Sequence, residues 1–260
     1  MIAHGIVYIA SHNGRIYAYN ASGCGNVVCT SLWNSVPLIT WTNSSPAVAN
    51  GIVYIGDYDA RLYAYRANGC GKASCPPLWS GSVGNFIAFS SPSVVNHVVY
   101  IGSSDHKLYA FNADGCGSAA PCQPLWTSAP TGKRIDSSPA VLNGVVYIGS
   151  DDGKLYAYDS NTCQKTRSQA CLPRWFSITM QYGVTSSPTI ANGVLYIGAL
   201  DNRLYAYDIK GCMIQKSPCI PLWHSQNLGA GIFSAPDVAN GIVYAATSAG
   251  RVYAFGLHGV

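Results

Sequence analysis

Apolar and polar residues alternate with a period of two in six stretches of the chain. Tyr, Val and Ile dominate each stretch, and a turn rich in Asp and Gly separates its two halves. This alternation predicts a strand on each side of a tight turn, so each stretch is predicted to form a β-hairpin. The six hairpins read GIVYIASHNGRIYAY, GIVYIGDYDARLYAY, HVVYIGSSDHKLYAF, GVVYIGSDDGKLYAY, GVLYIGALDNRLYAY and GIVYAATSAGRVYAF.

Two further strands accompany most hairpins and complete a repeat of 46 to 49 residues. SSPAVANG or a close relative precedes five hairpins and predicts a third strand that ends in an Asn-Gly turn. PLW or PRW follows five hairpins and predicts a fourth strand. Four short antiparallel strands in a repeat of this length are typical of a β-propeller blade. A β-sandwich array, the alternative, would not need so strict a period.

The predicted fold is therefore all-β, a single β-propeller domain (residues 1–260) of about six four-stranded antiparallel blades. The hairpins are expected to begin near residues 5, 51, 97, 144, 193 and 241. The first blade is expected to lack its innermost strand, and the last blade its outermost strand. Three explanations stay open: the chain is a piece of a larger propeller, it closes with two imperfect blades, or another molecule completes them.

Composition and charge narrow the functional classes. The 11 acidic residues are all Asp, and a net charge of +4 is spread over 260 residues. This charge is too dilute for nucleic-acid binding, which needs a concentrated basic patch. No apolar run reaches the length of a membrane span, and no signal peptide is visible. We therefore expect no nucleic-acid partner and no membrane span.

Ten cysteines fall into five pairs, each between the second hairpin strand and the fourth strand of a repeat. The spacings on either side of each pair are constant, and only the step between its two cysteines varies, from 5 to 8 residues. A disulfide at the base of a loop of variable length accounts for this pattern and predicts an oxidising, extracellular or periplasmic compartment. The predicted pairs are Cys24/Cys29, Cys70/Cys75, Cys116/Cys122, Cys163/Cys171 and Cys212/Cys219.

Metal binding is the alternative use of these cysteines. A zinc site needs four ligands, usually with two residues between paired cysteines. No His or second Cys pair recurs at a fixed spacing within the repeat, so we predict no metal site. The histidines occupy different repeat positions and are interpreted as surface or turn residues: His4, His12, His97, His106, His224 and His258.

The hairpin turns carry an Asp or Asn two residues before an Arg or Lys. These pairs could form a ring of charge for an anionic or polysaccharide ligand. We favour turn chemistry, because Asp bonds its own backbone in tight turns, and one carboxylate per turn is too few for calcium. The acidic or amide members are Asn13, Asp59, Asp105, Asp152 and Asp201.

The repeat unit NGVVYIGSDDGKLYAYDSNT…PRW, followed by SSP, resembles the PQQ-like β-propeller repeat over essentially the whole chain. That family includes pyrroloquinoline-quinone dehydrogenases and BamB-type outer-membrane assembly lipoproteins. The inserted cysteine pairs depart from the usual repeat. The resemblance implies that SSPAV, VYIG, LYAY and PLW run in this order from the propeller axis outward. It also implies that the hairpin turns and the Trp-to-Pro connections share one face, opposite the disulfide loops.

The resemblance also raises a pyrroloquinoline-quinone-dependent dehydrogenase as a remote alternative. Those enzymes hold the cofactor near the axis beside Ca²⁺, with a disulfide between adjacent cysteines and a catalytic Asp. This chain has no adjacent cysteines and no Glu, and only Asp136 and Asp237 lie near the start of an innermost strand. No Ser has a recognisable His and Asp partner. We therefore predict no enzymatic activity and no cofactor.

The connections from each Trp to the next Pro keep a constant length while their sequence varies, which is where a propeller is expected to place recognition. The candidate recognition face comprises Trp41, Phe86, Lys133, Arg134 and Tyr182. Phe89 and Phe233, also in these connections, are expected to pack between blades. Asn20 and Asn43 fit the N-glycosylation sequence pattern.

Two functions of different classes follow from these features. The first is an extracellular, disulfide-stapled structural propeller that associates with itself head to tail, because unpaired sheet edges favour strand addition. The second is a binding module that presents its variable face to a protein or glycan partner. We favour the first, because a stapled, Tyr-rich surface of low charge suits a durable external structure.

Overall fold

The structure is a computed structural model that describes residues 1–38, 40–117, 121–166, 170–214 and 218–256 of the chain. Within these residues the strands form six sheets, and helix is limited to two short segments. The chain groups into two compact units. The first comprises Met1–Asp105 and Tyr109–Leu125, and the second comprises His106–Leu108 and Trp126–Val260.

The strands are numbered in chain order. The first twelve are β1 (Ile2–Ala3), β2 (Ile6–Ser11), β3 (Arg15–Asn20), β4 (Trp33–Ser35), β5 (Ala47–Ala49), β6 (Ile52–Asp57), β7 (Arg61–Arg66), β8 (Ser74–Cys75), β9 (Trp79–Ser82), β10 (Ser93–Val95), β11 (Val98–Gly102) and β12 (Leu108–Asn112). The next twelve are β13 (Trp126–Thr127), β14 (Ala140–Leu142), β15 (Val145–Gly149), β16 (Leu155–Asp159), β17 (Trp175–Phe176), β18 (Thr189–Ala191), β19 (Val194–Gly198), β20 (Leu204–Asp208), β21 (Trp223–His224), β22 (Asp237–Ala239), β23 (Ile242–Ala246) and β24 (Val252–Gly256). The helices are α1 (Ser160–Lys165) and α2 (Ile209–Ile214).

Successive strands of each repeat pair antiparallel. In the first unit, one sheet has the order β1-β2-β3-β4 with β8 beyond β4, a second has the order β5-β6-β7-β9, and β10 pairs with β11. In the second unit, β14 to β17 and β18 to β21 form four-stranded sheets in chain order. The last sheet, β22 to β24, has three strands within the described residues. These repeated sheets confirm the predicted propeller blades.

The innermost strand of each sheet ends in a turn that requires left-handed backbone. Asn50 and Gly51 have φ values of 51° and 74°, a conformation that Asn and Gly adopt readily. His4 and Gly5 adopt the same conformation, with φ values of 50° and 75°. As a result, β1 pairs with β2 in the position of an innermost strand. The expectation that the first blade lacks this strand is corrected: it is present as two residues.

Within each unit the core lies between successive sheets, because a hairpin packs one face on the preceding sheet or the other face on the following sheet. In the first unit, Tyr8, Ile16 and Ala18 of the first sheet pack against Val53, Ile55, Tyr63 and Tyr65 of the second. In the second unit, Tyr196, Leu204 and Ala206 pack in the same way against Val243, Ala245, Tyr253 and Phe255. Inner sheets therefore bury both faces of their hairpins, and their strands are almost continuously apolar.

Two short helices, α1 and α2, were not expected from the sequence. Each contains the first cysteine of one of the two longest cysteine loops, Cys163 and Cys212. The Asp159 side chain accepts a hydrogen bond from the Thr162 amide at 3.0 Å and caps α1. Each helix extends two residues beyond its cysteine, to Lys165 in α1 and to Ile214 in α2.

Candidate functional site

Five disulfides form within the cysteine loops, between the cysteines that the sequence pairs. The Cα atoms of each pair lie 5.1 to 5.7 Å apart, within the usual range for a disulfide. Four of the loops also contact the preceding repeat. The second cysteine of each forms a parallel bridge with a residue in or directly after the outermost strand of that repeat: Cys75 with Ser35, Cys122 with Gly81, Cys171 with Ser128 and Cys219 with Ser177.

This contact buries the second cysteine and gives the edge strand hydrogen-bond partners. The Cys171 amide donates to the Thr127 carbonyl at 2.8 Å, and the Ala129 amide donates to the Cys171 carbonyl at 2.7 Å. The first loop differs from the others, since both Cys24 and Cys29 remain accessible to solvent. The cysteine spacing alone did not predict a contact between repeats, because a constant spacing within a repeat says nothing about the neighbouring repeat.

The hairpin-turn aspartates bond within their own turns, as turn chemistry predicts. Asp152 Oδ1 accepts a hydrogen bond from the Lys154 amide at 3.0 Å, and its Oδ2 accepts one from the Tyr156 hydroxyl at 2.6 Å. Burial and the hydrogen bond to Asp152 together raise the pKa of Tyr156. The corresponding hydroxyls of Tyr63, Tyr109 and Tyr205 also donate to their turn aspartates.

Within each unit, the hairpin turns and the Trp-to-Pro connections lie together on one face. In every hairpin after the first, the residue four positions after the first Tyr donates its amide to a connection carbonyl. In the first unit the Tyr58 amide donates to the Trp41 carbonyl at 3.4 Å. In the second unit the Asp151 amide donates to the Arg134 carbonyl at 3.1 Å, and the Leu200 amide to the Gly183 carbonyl at 3.0 Å. These turn residues vary between repeats, so they belong to the candidate recognition face.

In the first unit, this face is aromatic. The Tyr58 ring stacks on Phe86 with 5.3 Å between ring centroids and contacts Trp41 at 5.7 Å. The His12 ring lies 5.5 Å from Trp41 and bonds the Asn43 side chain at 2.8 Å. Trp41 keeps 54% of its surface exposed. The sequence identified Trp41 and Phe86 but missed His12 and Tyr58, which their fixed offset from the hairpin Tyr would have revealed.

In the second unit, the face holds a cavity of about 300 Å³. Lys133 and Tyr182, two of the predicted recognition residues, line it together with Asp151, Gly183 and Leu200. A Cβ atom on Gly183 would lie 3.2 Å from the Asp151 Cα, so glycine permits the close approach of these two segments. The structure therefore brings separated sequence positions from two connections and two hairpin turns to one site.

Arg134, the remaining predicted residue, does not line this cavity but forms an ion-pair network with Asp151, which does. Its Nε is 2.6 Å from Asp151 Oδ2 and 2.9 Å from Asp136 Oδ2. The Asp136 side chain is almost completely buried. Burial raises the pKa of Asp136 to about 6, although the Arg134 guanidinium acts in the opposite direction. The network holds the Asp151 carboxylate in place beside the cavity.

One expectation about the connections changes. Phe89 and Phe233 were expected to pack between blades, but each is more than half exposed. They stand three residues before the Pro of the next innermost strand, at the repeat position that Asn43 and Asp136 also occupy. Asn43, one of the two glycosylation candidates, uses its side chain in hydrogen bonds to His12 and Tyr58.

The first and last sheets each leave one hairpin face exposed. In the first sheet, Ile9 is 48% exposed, whereas the equivalent Ile55 of the second sheet is fully buried. In the last sheet, Val252 is 71% exposed, whereas the equivalent Leu204 is fully buried. The exposed faces are thus the surfaces that inner sheets bury against their neighbours.

Two further findings concern residues 1–38, 40–117, 121–166, 170–214 and 218–256. In this part of the chain, no three His, Cys, Asp or Glu side chains come together as a possible metal site. His258 lies outside the described residues. Neither α1 nor α2 has the length and apolar character that a membrane-crossing helix requires.

The chain resembles known β-propellers in sequence and structure. A family model described as outer membrane protein assembly factor BamB matches residues 1–119 and again residues 118–255. The chain therefore belongs to this family. No curated protein matches the chain. The five disulfides of this family member are typical of an oxidising compartment.

Solved structures agree on the fold. The crystal structure of BamB from Moraxella catarrhalis is similar with a TM-score of 0.72 and 17% identity, over 98% of this chain and 71% of that one. The crystal structure of the computationally designed Ika8 protein is similar with a TM-score of 0.75 and 14% identity, over 100% of this chain and 70% of that one. At these identities the likeness supports the propeller fold alone.

Proposed function

We propose that the protein is a non-enzymatic structural propeller of an extracellular or periplasmic compartment that associates with copies of itself head to tail. The observation that carries this proposal is the exposure of Ile9 and Val252, whose equivalents are buried in every inner sheet. Full burial of side chains of this size contributes roughly 1.5–3 kcal/mol each. An exposed face made of several such residues therefore favours association.

The repeat itself identifies the occupant of each exposed face. The forward face of the last sheet presents Tyr244, Val252 and Ala254, at the positions of Tyr196, Leu204 and Ala206. The latter residues are covered by a neighbour with the pattern Val243, Ala245, Tyr253 and Phe255. The first sheet carries the matching pattern, Val7, Ile9, Tyr17 and Tyr19, on its partly exposed backward face. A second copy of the chain thus supplies the complement that the inner sheets already use.

The contacts of Asp136 and Asp237, the two aspartates near the start of innermost strands, support a non-enzymatic role. Asp136 is engaged with Arg134, and Asp237 is exposed, with its Oδ1 accepting a hydrogen bond from the Val238 amide. Neither has a neighbouring nucleophile or base among the described residues that would form a recognisable catalytic set. The disulfide contacts between repeats suit a protein that must resist unfolding outside the cell.

Sedimentation velocity over a concentration series tests the assembly. The wild-type chain is expected to form multiples of its 27.6 kDa mass. Ile9→Arg and Val252→Arg each place a charge in one face and are expected to shift the protein to the monomer. Leu172→Arg is the matched control, because Leu172 is as exposed as Val252 but lies beside a cysteine loop of an inner repeat. A monomeric wild type at all concentrations would contradict the proposal.

A binding module is the second candidate function. The observation that favours it is the convergence of variable connection and turn residues, which places Lys133, Asp151, Tyr182 and Leu200 around one cavity. A cavity of this volume lies within the range of small-ligand sites, about 300–1,000 Å³. The two candidates use different surfaces, so one protein can have both functions.

A further inference from the structure

The wall of the cavity in the second unit has an apolar part and a polar part. Tyr182, which is 58% exposed, and Leu200 form its apolar part. Lys133 and Asp151 form its polar part and carry opposite charges. The wall therefore has no net charge from these groups, while it offers both hydrogen-bond donors and an acceptor. Such a site does not select a strongly charged ligand.

The polar part is held in position before any ligand arrives. Asp151 Oδ2 lies 2.6 Å from Arg134 Nε, and the same nitrogen lies 2.9 Å from the buried Asp136 carboxylate. The other Asp151 oxygen, Oδ1, is buried and has no hydrogen-bond partner among the described residues. Because Oδ1 is closed to solvent, a ligand hydroxyl would bond Oδ2, since a carboxylate oxygen can accept a second hydrogen bond besides the one from Arg134.

We propose that this cavity binds a neutral saccharide. A sugar hydroxyl both donates and accepts hydrogen bonds, so adjacent hydroxyls can bond the Asp151 carboxylate and the Lys133 ammonium together. The C–H face of a pyranose ring is apolar and flat, and it packs on an aromatic ring such as that of Tyr182. Few other neutral ligands combine a flat apolar face with several hydroxyls at its rim. This inference develops the binding-module candidate and is independent of head-to-tail association.

Titration calorimetry and saturation-transfer NMR on the full chain test this assignment. The probes are neutral tetrasaccharides of β-1,4-glucose, α-1,4-glucose, α-mannose and β-1,4-N-acetylglucosamine. At least one is expected to bind, with saturation transfer to its ring C–H protons. Asp151→Asn, which keeps the side-chain shape, and Tyr182→Ala are each expected to weaken binding by about tenfold or more.

Two controls separate this site from other surfaces. Phe233→Ala removes an exposed aromatic side chain of the same unit that does not line the cavity, and it is expected to leave affinity unchanged. Val252→Arg disrupts the proposed assembly face and is also expected to bind the saccharide normally. Failure of assembly and failure of saccharide binding are therefore distinguishable.

Three results would overturn the proposal. The first is that no probe binds. The second is that a probe binds with an affinity that Asp151→Asn does not change, which would place the ligand elsewhere. The third is that extended peptides compete for the cavity while saccharides do not, which would assign the site to a protein partner.

Discussion

The Cys122 amide donates a hydrogen bond to the Ser80 carbonyl oxygen, 2.6 Å away. Ser80 lies in β9, the outermost strand of the second sheet, whereas Cys122 closes the cysteine loop of the following repeat. The loop thereby covers part of a strand edge that would otherwise present unpaired backbone groups. Equivalent contacts recur at Cys75, Cys171 and Cys219. The cysteine loops therefore connect neighbouring repeats, in addition to being closed at their base by a disulfide.

Removal of the Cys116–Cys122 disulfide is therefore expected to cost more stability than removal of Cys24–Cys29. The two disulfides close loops of similar length, with sequence separations of 6 and 5. Their loss should thus release a similar unfolded-chain entropy, about 2 kcal/mol each. The double alanine variant of Cys116 and Cys122 additionally disturbs the contact to β9, and we expect about 1 kcal/mol of further loss. Urea unfolding of the two variants measures this difference, and equal losses would refute an inter-repeat role.

Gly115 is predicted to be essential for packing, and Gly117 provides its control. Both have positive φ, 86° and 79°, so alanine introduces similar backbone strain at each, about 1–2 kcal/mol. A Cβ atom on Gly115 would also lie 2.6 Å from the Trp79 ring, whereas one on Gly117 would meet nothing within 4 Å. Gly115→Ala is expected to destabilise the protein by about 1–3 kcal/mol more than Gly117→Ala, measured by thermal unfolding. Equal effects would mean that the Trp79 side chain moves away from the added methyl group without a loss of stability.

Most of the blade architecture could be predicted because it depends on period-two patterning and turn residues, which are local properties. The innermost strand of the first blade was missed because His4 stands where the other repeats, apart from the third, have Asn before Gly. Helix α1 was missed because so short a segment shows no helical periodicity. Its capping residue, Asp159, is also the last residue of strand β16, so the sequence gives no separate signal for the start of a helix. Helix α2 was missed for the same lack of helical periodicity.

The candidate site was only partly predictable. Variable connections pointed to Lys133 and Tyr182, but they could not indicate that Asp151 and Leu200 complete the same cavity. That juxtaposition depends on the hydrogen bonds between turn and connection, such as the one from the Asp151 amide to the Arg134 carbonyl. Which side chains become buried, as with Asp136 and not Phe233, depends on neighbouring repeats and cannot be read from spacing.

Asp57 is predicted to make the protein less stable as the pH rises. Burial, followed by the charge of Asp59, raises the pKa of this fully buried carboxyl from 3.8 to about 6. Because the folded state binds the proton more tightly than the unfolded state, stability present below about pH 4 is lost as the pH rises through about 6. The pKa difference corresponds to a loss of about 3 kcal/mol.

Asp57→Asn tests this pH dependence. The variant is expected to narrow the gap in unfolding free energy between about pH 4 and about pH 7.5. It should be more stable than the wild type at the higher pH, because the amide carries no charge to bury. Asp237→Asn, at an exposed position, is the control and is expected to leave the gap unchanged. A gap that is unaffected by Asp57→Asn would show that folding does not raise the pKa of this carboxyl.

Head-to-tail association is tested most directly by mixing the two face variants. Ile9→Arg keeps the forward face of the last sheet, and Val252→Arg keeps the backward face of the first sheet. Each is expected to be monomeric alone. Light scattering of an equimolar mixture should give a species of twice the 27.6 kDa chain mass and no larger one, because one blocked face remains at each end. A mixture that stays monomeric, or a single variant that dimerises alone, would contradict the account.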